Sequence, residues 1–274
     1  MIVAVVGSAN VDLVATLAQR PAPGETVLGE TYWEVVGGKG VNQALASAAV
    51  SPTHFVASIG PDSAATAVRE ALERGKVLTT YVATAEAPTG RAMITVTPEG
   101  ENSIVVIPLA NLELRADQVL HALNELRPKV VAMQLELTDE VVVETARWCA
   151  QNSARLVLNA SPYRTLPRDV IAAADPLIVN AGEAAAVLGL AAPHGGHPTI
   201  TLARSLSEMA VSALLTAGAE GVYVVEDGEV HHVPTQRVEA VDTTGAGDAF
   251  AGTVAGHLAR GVSLLDAAAD GNAV

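Results

Sequence analysis

The sequence predicts a layered α/β domain with a mostly parallel central sheet and a small β appendage over one face. Two observations carry that expectation. Short, uniformly apolar runs alternate with helix-like stretches, and the composition is half hydrophobic but only 3% aromatic. Runs that are apolar on both faces belong in a sheet covered on both sides, and a core of Ala, Val, Leu and Ile suits parallel strands under Ala-rich helices. At 274 residues the chain has room for one large domain, or a large domain with a small appendage.

Taken in order, residues 2–6, 130–135, 155–158, 177–179 and 221–225 read as strands. Residues 42–49, 64–73, 139–151 and 183–188 read as helices, so the β, α, β, α order implies βαβ crossovers. Two regions break the rhythm. Residues 26–33 form an extended run after the turn-rich PAPGE, and 91–97 with 102–107 flank PEGE in the pattern of an antiparallel hairpin. Neither joins a parallel core easily, which is why an appendage is expected. Asp227-Gly228 marks a further hairpin between 222–225 and 230–233. With no internal repeat or long linker, residues 1–274 read as a single domain carrying appended segments near 26–33 and 91–107.

The formal charge is −14, from 30 acidic and 16 basic residues. Such a surface repels phosphate backbones and anionic lipids, which argues against nucleic acid and membrane as partners. An anionic ligand must then be held by local devices such as backbone amides, a helix N-terminus or a metal. Cys149 is the sole cysteine, so no internal disulfide forms, and no Cys/His cluster suggests structural zinc. On a helix with Val142 and Ala146 it reads as a core thiol. The start MIVAVVGSAN lacks a basic leader region, and no apolar run reaches the ~20 residues that span a bilayer. A cytoplasmic location is the expectation.

Three segments carry candidate chemistry. In VDTTGAGDAFAGTVAGHL, residues 241–258, a Gly-Ala-Gly turn precedes an amphipathic helix beginning near Asp248. Successive amides at a helix N-terminus point at a ligand with the positive end of the dipole, which makes an anion cradle. Asp248 at its rim should lose its proton readily, because those amides favour the anion. A carboxylate beside an anion site suits phosphoryl transfer, and an ordinary helix cap is the alternative. In VVGGKGVNQALASAAV, residues 35–50, Gly37, Gly38 and Gly40 surround Lys39 ahead of an Ala-rich helix that includes Asn42. This is not a P-loop, and no dinucleotide fingerprint follows the first strand. A sugar-binding loop and a plain loop-to-helix junction both fit. Asn10 and Asp12 follow the first strand, where α/β folds bind ligands, and equally where turns form.

Together GSANVD from residue 7, GGKGVNQA at 37–44 and DTTGAGDAF at 242–250 resemble the ribokinase-like family of carbohydrate and nucleoside kinases over essentially the whole chain. The resemblance implies a Rossmann-like domain with a small β-sheet lid, and transfer of the ATP γ-phosphoryl group to a primary alcohol. It implies Asp248 as general base and the amides of Gly245, Ala246 and Gly247 as anion hole. Asn10, Asp12, Gly38, Lys39, Asn42 and Glu136 (in MQLE) then line the sugar pocket. On the nucleotide side fall Asn180 and Glu183, which help organise Mg²⁺ and phosphate. Thr216, Gly218 and Gly221 of TAGAEG and Asn272 beside adenine complete it. Asp242 and the Thr244 carbonyl correspond to ligands of an activating K⁺. The NVD start, GGKGVNQA and MQLE look more like the ribokinase branch than fructokinases or adenosine kinases, which implies D-ribose as acceptor and ribose 5-phosphate as product. A dimer through the lid is a further family expectation.

The chain departs from the family at Leu109-Ala110-Asn111, where G-A-N is common, at NASP (159–162), and in a short stretch from 191 to 212. Relatives also continue past the position of Val274 with helices and a loop that closes the base and cation sites. Other acceptors, such as a different sugar or a nucleoside, stay open. So does a binding protein without catalysis, which would need the pocket but not the base, whereas an oxidoreductase lacks its fingerprint. His194 and His197 (HGGH) have no third ligand nearby and read as a solvent loop, while His231 and His232 alternate on a hairpin strand.

Overall fold

The computed structural model describes residues 1–190, 199–235 and 245–273. The chain opens with β1 (Val3–Val6), a strand buried on both sides, and then turns into β2 (Asn10–Leu17) and β3 (Gly29–Gly37). Next come α1 (Lys39–Ala48), β4 (Thr53–Ile59), α2 (Ser63–Arg74) and β5 (Leu78–Thr84). Asp62 starts α2 by accepting the Ala65 N–H, the expected work of an Asp N-cap. Then follow β6 (Gly90–Val96), β7 (Asn102–Ile107), α3 (Ala116–Leu126) and β8 (Val130–Met133). The middle of the chain adds α4 (Asp139–Asn152), β9 (Arg155–Asn159), α5 (Arg168–Ala172) and β10 (Ala174–Asn180). Last come α6 (Ala181–Val187), α7 (Thr199–Leu206), β11 (Ser212–Thr216), β12 (Val222–Glu226), β13 (Glu229–Val233), α8 (Ala246–Ala259) and α9 (Leu264–Gly271).

Nine strands form one sheet in the order β13-β12-β11-β10-β9-β8-β1-β4-β5, parallel except at the β11–β12–β13 edge. Strand residues alternate between two cores. Ala4 and Val6 face a layer built on α3 to α7, while Val3 and Val5 face one built on α1, α2, α8 and α9. The expected α/β layering is therefore present, with helices on both faces of the sheet. The β12–β13 turn has Asp227 at φ 52° and Gly228 at φ 78°, the left-handed pair that a two-residue hairpin requires. Helix α8 departs from expectation. It is buried on nearly every side instead of amphipathic, because α1, α9 and the sheet enclose it.

The remaining strands form a second sheet, β3-β2-β6-β7, which makes the lid. The run expected at 26–33 becomes a strand only at Gly29 and continues to Gly37, and β2 joins this sheet too. Its own buried cluster is just Val14, Ala92 and Ile94, with Val96 against them. Among the described residues no helix is long and apolar enough to cross a membrane.

Candidate active site

The chain leaves β1 for the lid, returns to β4 on one side, and later adds β8 on the other, so the carboxyl ends of β1 and β8 flank a topological switch point. Ser8 follows β1, Glu136 follows β8, and Ser8 Oγ donates to Glu136 Oε2 at 2.5 Å. The N-terminus of α1 packs directly on this junction. A Cβ at Gly40 would lie 2.5 Å from Gly7 C and Ser8 N, so only glycine lets the helix approach. Lys39 N–H then points at Glu136 Oε2, at 3.4 Å.

A cleft of about 420 Å³ lies over this junction and under the lid. Asn10, Asp12, Gly38, Lys39, Asn42, Glu136, Gly245 and Asp248 all line it, with Ala92, Ile94, Ile104 and Val106 as an apolar roof. A second cavity of about 190 Å³ shares Lys39, Gly245 and Asp248 with the first and extends to Gly247, Asn180, Glu183 and Thr216. Asp248 thus stands on the wall between two adjoining spaces. Lys39 has no ion-pair partner among the described residues, leaving its charge available to both.

Several sequence expectations need correction. Asn10 and Asp12 do not sit in a turn after β1. They lie on lid strand β2, where the alternation of the strand aims both into the cleft. Asn10 is held through its oxygen, Oδ1 accepting from Asn111 Nδ2 at 2.8 Å while Asn111 Oδ1 accepts the Ala9 N–H. Asp248 is not driven to ionise. Burial pushes its carboxyl above the usual carboxylate range, although Lys39 and hydrogen bonds from Gln43 and Asn42 pull the other way. Burial likewise raises Asp12 to about 6, aided by the Glu136 charge.

Gly245, at φ 78°, precedes α8, and among the described residues no side chain caps that end. The first amides of α8, from exposed Ala246 and Gly247, therefore have no acceptor inside the helix. Asn180 and Glu183 form a reciprocal cap on α6, each accepting the other's N–H at 2.9 Å. Gly218, Gly221 and Asn272 line neither cavity. Gly218 and Gly221 bracket the β11–β12 turn, and Asn272 Nδ2 reaches Val233 O at 3.4 Å. Asp242, Thr244, His194 and His197 lie outside the described residues. Cys149 is buried, its thiol pushed up to about 12, as a core residue should be.

Sequence reasoning missed Ser8, Gln43, Asn111 and Asn159. Gln43 and Asn159 are buried amides next to Asp248, and a polar residue inside the apolar pattern of α1 was the available signal.

A parallel sheet wrapped in helices, a β-sheet lid and a carboxylate at a helix N-terminus between two cavities define an α/β phosphotransferase for small molecules. The chain belongs to the pfkB family of carbohydrate kinases, whose family model matches residues 2–274. It is 35% identical to the ribokinase of Bacillus subtilis (strain 168), over 96% of this chain and 87% of that one. It is 33% identical to the deoxyribokinase of Salmonella typhimurium, over 95% of this chain and 86% of that one. Its structure is similar to that of ribokinase from Thermotoga maritima, with a TM-score of 0.88, 30% identity and coverage of 99% and 90%. Arabidopsis thaliana ribokinase complexed with ribose and ATP gives a TM-score of 0.86 at 26% identity, covering 98% of this chain and 89% of that one.

Proposed function

We propose that this carbohydrate kinase transfers the γ-phosphoryl group of ATP to the primary hydroxyl of D-ribose, giving ribose 5-phosphate and ADP. The observation that carries this reading is the position of Asp248 on the wall shared by the two cavities. The larger cavity, ringed by Asp12, Asn42 and Glu136, takes the sugar. The smaller, between the start of α8 and Thr216, takes the phosphates.

In the reaction Asp248 accepts the hydroxyl proton as the sugar oxygen bonds to the γ-phosphorus, and the bond to the ADP oxygen breaks. Burial suits that role, since a carboxylate whose pKa is raised is the stronger proton acceptor. The first amides of α8, from Ala246 and Gly247, and the Lys39 ammonium offset charge on the group in flight. Asn180 and Glu183 are the residues for Mg²⁺. One oxygen of Glu183 is engaged in the α6 cap, which leaves the other free, and a single carboxylate suits an ion that keeps most of its water and phosphate ligands. Bound there, Mg²⁺ would neutralise phosphate charge. Gly218, Gly221 and Asn272 on the nucleotide side, K⁺ at Asp242 and Thr244, a lid-mediated homodimer and a cytoplasmic location complete the proposal.

A 2-deoxypentose is the second reading, favoured by the near-equal identity to a deoxyribokinase. The test is ADP release across a panel of sugars and nucleosides, with and without K⁺. Turnover with ribose, falling at least ~10³-fold in Asp248→Asn, is the expected result. Preference for 2-deoxyribose moves the substrate but keeps the kinase. Sugar binding without ADP release under any condition sinks the catalytic reading.

A further inference from the structure

Helices α1 and α8 meet so closely that a Cβ at Gly252 would lie 2.3 Å from Gln43 O. This contact brings Gln43, wholly buried in α1, against Asp248 in the first turn of α8. Both amide hydrogens of Gln43 are committed. One goes to Asp248 Oδ1 at 3.1 Å, the other to Asn159 Oδ1 at 3.2 Å. Gln43 Oε1 in turn accepts from Gln134 Nε2 at 2.6 Å. The direction of this chain is set from outside it. Asn159 Nδ2 faces the Ile178 carbonyl of β10 at 3.4 Å, so its oxygen must face Gln43. Reversing the Gln43 amide would set oxygen against oxygen at Asn159 and at Asp248, and nitrogen against nitrogen at Gln134. Buried polar groups do not accept such losses cheaply.

We infer that Gln43 is the positioning residue for the Asp248 carboxylate, holding Oδ1 through an amide of fixed direction so that Oδ2 is the atom that takes the substrate proton. The inference rests on the kinase reading and goes further, assigning separate tasks to the two oxygens of the base. Among the described residues Oδ2 has only Asn42 Nδ2, at 3.4 Å, and Asn42 lines the cleft, where a sugar hydroxyl can replace that contact. Gln43 is wholly buried away from the cleft and has no alternative partner among the described residues, so its bond persists through the reaction.

A permanent donor also favours the ionised base, and it does so against burial. Among the described residues the charged group acting on Asp248 is Lys39 of α1, and the other carboxylates facing the same two cavities are Asp12 of β2, Glu136 after β8 and Glu183 of α6. The side-chain hydrogen bonds of Gln43 go to none of these carboxylates. Removing its N–H should therefore move the protonation midpoint of Asp248 upward while leaving the sugar contacts in place.

The decisive variant is Gln43→Leu, read in two ways. In steady-state assays kcat at pH 7 should fall roughly 10- to 100-fold with KM changed less than about threefold, and the acid limb of the kcat profile should move up by about one pH unit. In carboxyl ¹³C NMR of the substrate-free protein, with the Asp248 signal identified by its loss in Asp248→Asn, the titration midpoint should rise by the same amount. Gln134→Leu removes only the donor to Gln43 Oε1, and a smaller shift in the same direction is expected. It carries both readouts should Gln43→Leu fail to fold. An unchanged midpoint and an unmoved acid limb in a folded variant overturn the inference, even if the melting temperature drops. Should the wild-type protein release no ADP with any sugar, the kinase reading fails, and the NMR titration still decides whether Gln43 governs Asp248.

Discussion

In the nine-stranded sheet Leu156, Leu158, Leu177 and Leu214 are completely buried, whereas on lid strand β7 Ile104 is 48% and Val105 59% exposed. Both sheets are rich in β-branched and aliphatic residues, so composition does not separate them. What differs is the cover. Helices pack on both faces of the large sheet, whereas the lid meets α1 and α2 at its root, where Val11 joins their core, and its directly opposed residues Asp12, Ala92 and Val106 look into the cleft. Apolar side chains in the large sheet hold the fold together. Those in the lid wait for a ligand on one face and, on the proposed dimer, for a second copy on the other.

The largest expected effect tests this contrast directly. Leu158→Ala should cost roughly 2–5 kcal/mol in urea unfolding, against under about 1 kcal/mol for Ile104→Ala. Ile104→Ala should instead raise the sugar KM several-fold. Equal stability losses would erase the distinction between the two sheets.

A second effect sharpens it at Asp12, the lid carboxylate that lines the cleft. Asp12 titrates at about 6 in the fold against 3.8 in the free side chain, so the folded state binds this proton more tightly. The stability it contributes is complete below 3.8 and is lost as pH rises through 6. Asp12→Asn should thus melt about 1–3 °C higher at pH 8, with the gain gone near pH 3.5, solvent screening keeping it small. The same variant should lose sugar affinity roughly tenfold or more, because a charge-assisted acceptor is gone. A variant that gains stability at pH 8 while binding sugar as before would remove Asp12 from the pocket.

The smallest effect concerns the return from lid to body. Leu109 adopts φ 46°, a conformation natural to the glycine that relatives often have there. Leu109→Gly should be more stable than Leu109→Ala by about 1 kcal/mol, since alanine keeps the strain and loses the side chain. Thermal melts of the pair settle it.

The sequence made the layered fold legible because strands buried on both faces are apolar without interruption, as at Val3–Val6. It hid β4, β5 and β11, which mix Thr, Ser and His into their runs. Motifs pointed to Asp248 and Lys39 as candidates and the family resemblance added Glu136, and these converge in space. The sequence could not reveal that β2 carries Asn10 and Asp12 into the lid, since membership of a sheet is a long-range property. Nor could it anticipate how burial raises Asp248, because desolvation depends on what packs around a side chain and not on its neighbours in the chain.

The bond from Gln43 to Asp248 joins positions 205 apart, and the one from Gln43 to Asn159 joins positions 116 apart. Contacts of that span close late, after the entropy of a long loop has been overcome. The Asp248 carboxylate thus acquires its partner only when distant stretches have found each other. Helix content can return early in refolding without a working site, and the recovery of turnover marks the docking of α8 on α1.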